Sequence, residues 1–478
     1  MSSRQQSLNR RNFLAIATSA GVASLIAACG GNSQPAAPKI AGSAPTAGAG
    51  ATPAAAAAGG TAPTPASAAG ANANANTGGT FVLEDKTFAD VGARAATDLY
   101  NQSPIGGKAI TLEDSGDGWD AKVLPQVRDK TLRWSGIGYI AFFDQYKDLR
   151  AGLAQPLDDL LKSSKVPWAQ KQQEIYFTPR VYQSLLADGK QYFIPMKINV
   201  HVAGWRSDYL KAAGYDTLPK TWDEIDKMLP KIKAANQDVI PFAIQRDLFR
   251  CLGTTYSTFV DKPLDEQGVF RMDTSEWNDV LTMFKKWIDA GLARFETNDD
   301  AVNAWQKGKY ALSLSSHSWV RLGRQVWGAD KVAGGVPPQA NASAPARTWS
   351  HVDGAAVFPN APDPQAALDW MLSIYGPEGA PAEAWWKGVL TFSGQPVYQS
   401  IIDKYVKNNP DITEVYDVLQ ILQNSQTVSL PQANGYNITQ LKLPPYLDRI
   451  FSGELSVKEG SSKARDEIDA ELAKQKSG

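Results

Sequence analysis

"DGKQYFIPMKINVHVAGWRSDYLKAAGYDTLPKTWDEIDKML", residues 188–229, holds two strand-like apolar runs around Pro195, a mixed connecting segment and then a well-marked helix start. Thr221 stands at the N-cap position with Glu224 three residues on, the spacing of a capping box in which each side chain satisfies a backbone donor of the other. Trp222, Ile225, Met228 and Leu229 follow at helical spacing, so one face of this helix is apolar. Pro219 biases Leu218 away from the α region, and Asp223 and Glu224 sit where the helix dipole favours negative charge. Trp222 therefore reads as a packing residue of a scaffold. The stretch as a whole reads strand, strand, helix.

The alternation continues in both directions. Upstream, "TFVLED" (80–85), "KAITLED" (108–114) and "KTLRWSG" (130–136) have the composition of short strands. "GARAATDLYNQ" (92–102) has helical spacing, and "QPLDDLLKSS" (155–164) is a loop turning into a helix. Downstream, "VIPFAIQ" (239–245) and "KYALSLSS" (309–316) are further strands. Between them "EWNDVLTMFKKWIDAGL" (276–292) places Trp277, Val280, Leu281, Phe284, Trp287 and Ile288 on one apolar stripe, with Gly291 as its C-cap. Strands alternating with helices predict an α/β layer structure with a largely parallel sheet.

The bulk composition narrows the function. The chain has 478 residues, 43% of them hydrophobic and 20% charged, enough for a large core and for two or three structural units. A net charge of −1 provides no basic field, which argues against nucleic-acid binding. Cys29 and Cys251 are too far apart for a CxxC metal knuckle, and Cys251 reads as a small core residue. His201, His317 and His351 lack HExxH spacing, so neither a metal nor a cofactor is expected.

The first residues read as an address. "NRRNFL" (9–14) followed by an apolar stretch to Ala28 is a signal peptide, residues 1–28, similar to a twin-arginine export signal. "LIAACG" (25–30) resembles the bacterial lipobox, which makes Cys29 the lipidated first residue of the mature chain. Residues 29–78 are rich in Ala, Gly, Pro, Ser and Thr, unable to build a core, and read as a disordered tether. The membrane is then reached through the lipid anchor only.

Several ordered motifs carry a family resemblance. Gly189, Lys190, Tyr192 and Pro195 match a G-K-x-Y-x-x-P strand; Asp208, Leu210, Ala213 and Gly214 match a D-x-L-x-x-A-G segment; and Pro219, Thr221, Trp222 and Glu224 match a P-x-T-W-x-E helix start. Gly308, Lys309, Ala311 and Trp319 fit a later segment, and "SGELSVKEGSSKARDEIDAEL" (452–472) fits a closing helix. In this order the chain resembles the extracellular solute-binding proteins of ABC importers, the family that includes maltodextrin-binding proteins.

The resemblance implies a type II periplasmic-binding-protein-like α/β fold with a ligand cleft between two lobes. Residues 79–197 and 338–372 would form lobe 1, and residues 198–337 and 373–478 lobe 2. It implies a monomeric, exported, membrane-tethered receptor that closes on a small solute, here a carbohydrate, and delivers it to ABC permease subunits.

Sugars present flat C–H faces and many hydroxyls, so their sites combine aromatic platforms with polar side chains. The chain supplies 14 tryptophans and 16 tyrosines. Carried over by position, the family's contacts fall on Asp85, Lys86 and Trp134 in the first lobe, and on Asn199 at the first crossing. In the second lobe they fall on the loop Gln245, Arg246, Asp247 and on Trp319, the main platform expected, with His317 in the same loop. Asp353 and Gly354 approach from the first lobe again, and Tyr436 is added by loop position.

Two enzyme classes compete with this reading. "GIGYIA" (136–141) loosely matches G-x-G-x-x-A, with Asp158 or Asp159 as the ribose-binding acid, but "QPLDDLL" reads as a helix start. A tethered glycosidase needs two facing carboxylates, whereas neighbours such as Asp299 and Asp300 point apart. The chain also lacks a GxSxG elbow.

Overall fold

The computed structural model describes residues 77–477 apart from 84–91, 107, 115–118, 141–148, 150, 393, 408, 410–421 and 423–434. Cys29, the signal peptide and the tether up to residue 76 lie outside the described residues, as do Asp85 and Lys86.

The first half of the fold is built on β1 (Thr77–Leu83), β2 (Ala109–Asp114) and β3 (Gly136–Ile140), with a short hairpin of β4 (Leu186–Ala187) and β5 (Lys190–Gln191) beside it. β6 (Ile194–Arg206) then runs for 13 residues as one strand. The second half holds β7 (Ile240–Gln245), β8 (Ala293–Glu296), β9 (Tyr310–Ser316) and β10 (Val332–Gly335), and β11 (Ser350–Val357) returns to the first. The sheet order is β2-β1-β3-β11-β6-β9-β7-β8, with β10 also on β6.

β6 is what joins the halves. Its residues 194–200 pair antiparallel with β11, while His201–Trp205 pair antiparallel with β9. The two strand-like runs expected around Pro195 are therefore one strand. Pro195 is accommodated because it lies opposite Gly354, where the register with β11 shifts, and a proline without an N–H is tolerated at such an irregularity.

Helices cover both faces. The capping box forms as the spacing predicts: Glu224 N–H donates to the Thr221 hydroxyl at 3.4 Å, and Thr221 N–H donates to Glu224 Oε2 at 3.1 Å. The helix Trp222–Ala235 buries Trp222, Ile225, Met228, Leu229 and Ile232, and the Trp222 indole donates to Thr258 at 2.7 Å. The helix Ser275–Asp289 buries Trp277, Val280, Leu281, Phe284 and Trp287, and Gly291 past its end takes φ +67°. Phe242, Phe284 and Trp287 pack ring against ring within about 6 Å, the contact distance of aromatic cores.

The structure revises one strand expectation and closes the dinucleotide-binding alternative. "KTLRWSG" is not a strand: β3 begins at Gly136, so Trp134 precedes its strand. That same boundary puts the G-x-G of "GIGYIA" inside β3, where no phosphate-cradling turn exists. The helix Ala380–Phe392 and residues up to Val406 were expected in lobe 2. Trp385, Trp386, Val389, Tyr398 and Ile402 lie in a core cluster that takes in β1, β3 and β11 and also Trp305, Tyr310 and Trp319, while the helix Gly435–Phe451 joins the other core.

Candidate functional site

Strand direction locates the site. β3 and the first part of β6 both run antiparallel to β11, and β1 runs parallel to β3, so the C-terminal ends of this half-sheet point along β6 toward Val200. In the other half Ser316, the last residue of β9, pairs with His201, and β7 and β8 run parallel to β9. The C-terminal edges of both half-sheets therefore converge where β6 crosses, which is the edge at which open α/β sheets carry ligand loops.

The crossing strands present a polar face. Alternate residues share one side of a strand, which puts Lys197, Asn199 and His201 of β6 together with His351 and Asp353 of β11. The register pairs Lys197 with Asp353 and Asn199 with His351. Lys197 Nζ meets Asp353 Oδ2 at 2.6 Å with side chains only 5% and 3% exposed, and Asn199 Nδ2 donates to the same oxygen at 2.8 Å. One registry step on, the His201 ring meets His351 edge-on with centroids 5.5 Å apart, and its Nδ1 shares a hydrogen bond with the Thr254 hydroxyl at 2.9 Å. Burial, reinforced by His351 and Arg250, holds the His201 pKa well below the usual imidazole range.

The loops after β7 and β9 form the rim. A π-helical turn, Leu248–Leu252, follows β7, a geometry that recurs at functional sites. It sets Phe249 against both His201 and His351, at centroid distances of 5.4 and 5.7 Å. Arg250 lies over the Phe249 ring and pairs with Asp247; Arg246 pairs with Asp448. After β9, His317 Nδ1 is in contact with the Gln395 side-chain amide, which occupies one of the two ring nitrogens and leaves Nε2 as the other polar atom of the imidazole. The Gln395 backbone exchanges two hydrogen bonds with Ile198 of β6, which fixes this contact to the crossing. His317 Nε2, Gln395 Oε1 and the Trp319 indole nitrogen are buried without a hydrogen-bond partner among the described residues. Burial, followed by Arg321 and Lys197, pushes the His317 pKa well down.

Residues 95–414, which include both crossing strands and the rim loops, match the sequence profile of the bacterial extracellular solute-binding proteins. The chain belongs to that family. Among solved structures it is similar to the sugar-binding protein MalE of Xanthomonas citri, with 18% identity, a TM-score of 0.66, and coverage of 83% of this chain and 98% of that one. The GacH receptor of Streptomyces glaucescens, solved unliganded and with acarbose, gives 14% identity, a TM-score of 0.63, and coverage of 81% and 97%. At these identities the likeness is one of fold. A binding protein of Brucella abortus is 23% identical over 178 residues, 35% of this chain; the chain thus spans 41% of the length of the curated relatives it matches.

Within this solute-binding fold the residues expected from sequence separate into two groups. Asn199, Arg246, Asp247, His317 and Asp353 stand at the convergent edge. Trp134 lies before β3, is 4% exposed, donates to Glu113 at 3.1 Å and is covered by Arg133, so it has no open face. Trp319 is at the correct edge but 2% exposed and packed against Trp305, so it offers no open face as a platform. Tyr436 is enclosed between Phe270 and Trp349, Gln245 is buried on Ser313, and Gly354 is enclosed in the ladder by Pro195 and Ile140. Asp299 and Asp300 occupy the first turn of the helix Asn298–Gln306, where Asp300 accepts from the N-cap Thr297 at 2.6 Å, a capping role that accounts for the pair.

Sequence reasoning missed Lys197, His201, His351, Phe249, Arg250 and Gln395. A signal existed for the first two: in "MKINVHV" polar residues alternate with apolar ones at strand period, so one face of an otherwise apolar strand is polar.

Proposed function

We propose that this solute-binding protein captures a carbohydrate by closing two lobes about the crossing at residues 199–201 and 349–351, makes or breaks no bond, and delivers the sugar to an ABC permease as a monomer. The observation that carries the reading is a group of buried neutral atoms without partners among the described residues at and beside the crossing, His317 Nε2, Gln395 Oε1 and the Trp319 indole N–H among them. A buried donor or acceptor left unpaired costs about 1–3 kcal/mol, and a hydroxyl both donates and accepts. A polyhydroxylated solute answers both needs at once. The sugar-binding name of the Xanthomonas citri neighbour and the acarbose bound by the GacH receptor support the same ligand class.

Calorimetric titration with a panel of neutral mono- and oligosaccharides tests this. Single-site, exothermic binding of at least one member is expected, and a complete absence of heat across the panel would reject the carbohydrate.

We place the mature chain outside the cytoplasmic membrane, exported by residues 1–28 and anchored by a lipid on Cys29, because "LIAACG" has the lipobox pattern before a core-less segment. Cys29→Ala is expected to move the protein from the membrane fraction to the soluble exported fraction. Unchanged membrane retention of that variant would remove Cys29 as the anchor.

A further inference from the structure

We infer that the crossing is closed to charge and that the site selects an uncharged saccharide over its acidic or amino counterpart, an inference that rests on the carbohydrate reading above. Among the described residues three cations stand at the convergent edge and each already holds a carboxylate: Lys197 with Asp353 at 2.6 Å, Arg250 with Asp247, and Arg246 with Asp448. A fourth, Arg321 on the helix after His317, donates to the Leu390 carbonyl. Glu296, which ends β8, accepts the Tyr310 hydroxyl at 2.5 Å and faces Arg294 at 3.9 Å.

A uronic acid entering this edge would meet the carboxylates of Asp247 and Asp353 and would have to displace one of them to reach a cation. An amino sugar would have to displace Lys197 or Arg250 to reach a carboxylate. Either exchange strands a half-buried charge, and such repulsive arrangements are how sites exclude the wrong partner. A neutral hydroxyl displaces nothing, since the groups without partners among the described residues include the His317 imidazole Nε2, the Trp319 indole N–H and the Gln395 amide oxygen.

The test is calorimetry on the purified protein, in which each neutral sugar that binds is run beside its uronic acid and its 2-amino derivative at one ionic strength. Like-charge juxtaposition costs several kcal/mol, and each 1.4 kcal/mol is a factor of ten, so both charged forms are expected to bind at least about tenfold more weakly. Asp247→Asn, which releases Arg250 from its anion, is expected to narrow the neutral-to-acid ratio. A uronic acid or amino sugar that binds within tenfold of the neutral sugar overturns the charge inference while leaving the carbohydrate reading intact. If no saccharide of any kind binds, the carbohydrate reading fails and this inference falls with it.

Discussion

Asp353→Ala is expected to cost about 3–5 kcal/mol of folding stability, read from the midpoint of urea denaturation, because it leaves Lys197 buried without its anion. The argument turns on burial. Both side chains are at most 5% exposed, so the lysine cannot recover by turning to water, and Asn199 loses the oxygen to which it donates. The two residues face one another on the strands that cross between the halves, so the stranded charge falls where the halves are joined. Replacing both partners with apolar residues, Lys197→Met with Asp353→Leu, is expected to restore most of the loss, since desolvation of the pair offsets much of its attraction. A single-variant cost below about 1 kcal/mol, the range of exposed pairs, would show that the tie is not made in the folded protein.

The elements that sequence made legible are those whose signals are local. The capping box at Thr221 and Glu224 and the apolar stripe from Trp277 to Trp287 each depend on residues within a few turns of one another, and both formed. Tryptophan burial was harder to read. Indoles supply either a core or a sugar platform with the same composition, and only packing against Trp305 and Arg133 decided for Trp319 and Trp134.

The candidate site was legible on one strand only. "MKINVHV" carries half of the polar face in its alternation, but the other half comes from β11, and Asn199 and Asp353 are separated by 154 positions. No local pattern announces that register. The loop after β7 shows the same limit, because the π-helical turn that carries Phe249 to both histidines has no composition of its own.

Acidification from pH 7.5 to 5.0 is expected to lower stability through two histidines, with the loss beginning near the unfolded-state pKa of about 6.5. His201 and His317 are both buried, and in both cases desolvation is the main cause of a pKa well below the usual value near 6.5. The sign follows from proton counting. Below about pH 6.5 the unfolded chain binds a proton at each histidine while the folded chain does not, so protons pull the equilibrium toward unfolding. The stability is fully present above the unfolded pKa and falls by about 1.4 kcal/mol per unit and per histidine below it, until the folded pKa is reached. The surroundings oppose rescue in the folded state: His201 faces His351 and Arg250, and His317 faces Arg321 and Lys197. His201→Gln cannot take up that proton and is expected to flatten the pH slope by about one proton relative to the parent, as is His317→Gln. Carboxylates titrate alike in parent and variant, so the difference in slope isolates the imidazole. Identical slopes in parent and His201→Gln between pH 6.5 and 5.0 would mean that His201 charges freely in the folded protein, which its enclosure by Phe249, His351 and Thr254 does not permit.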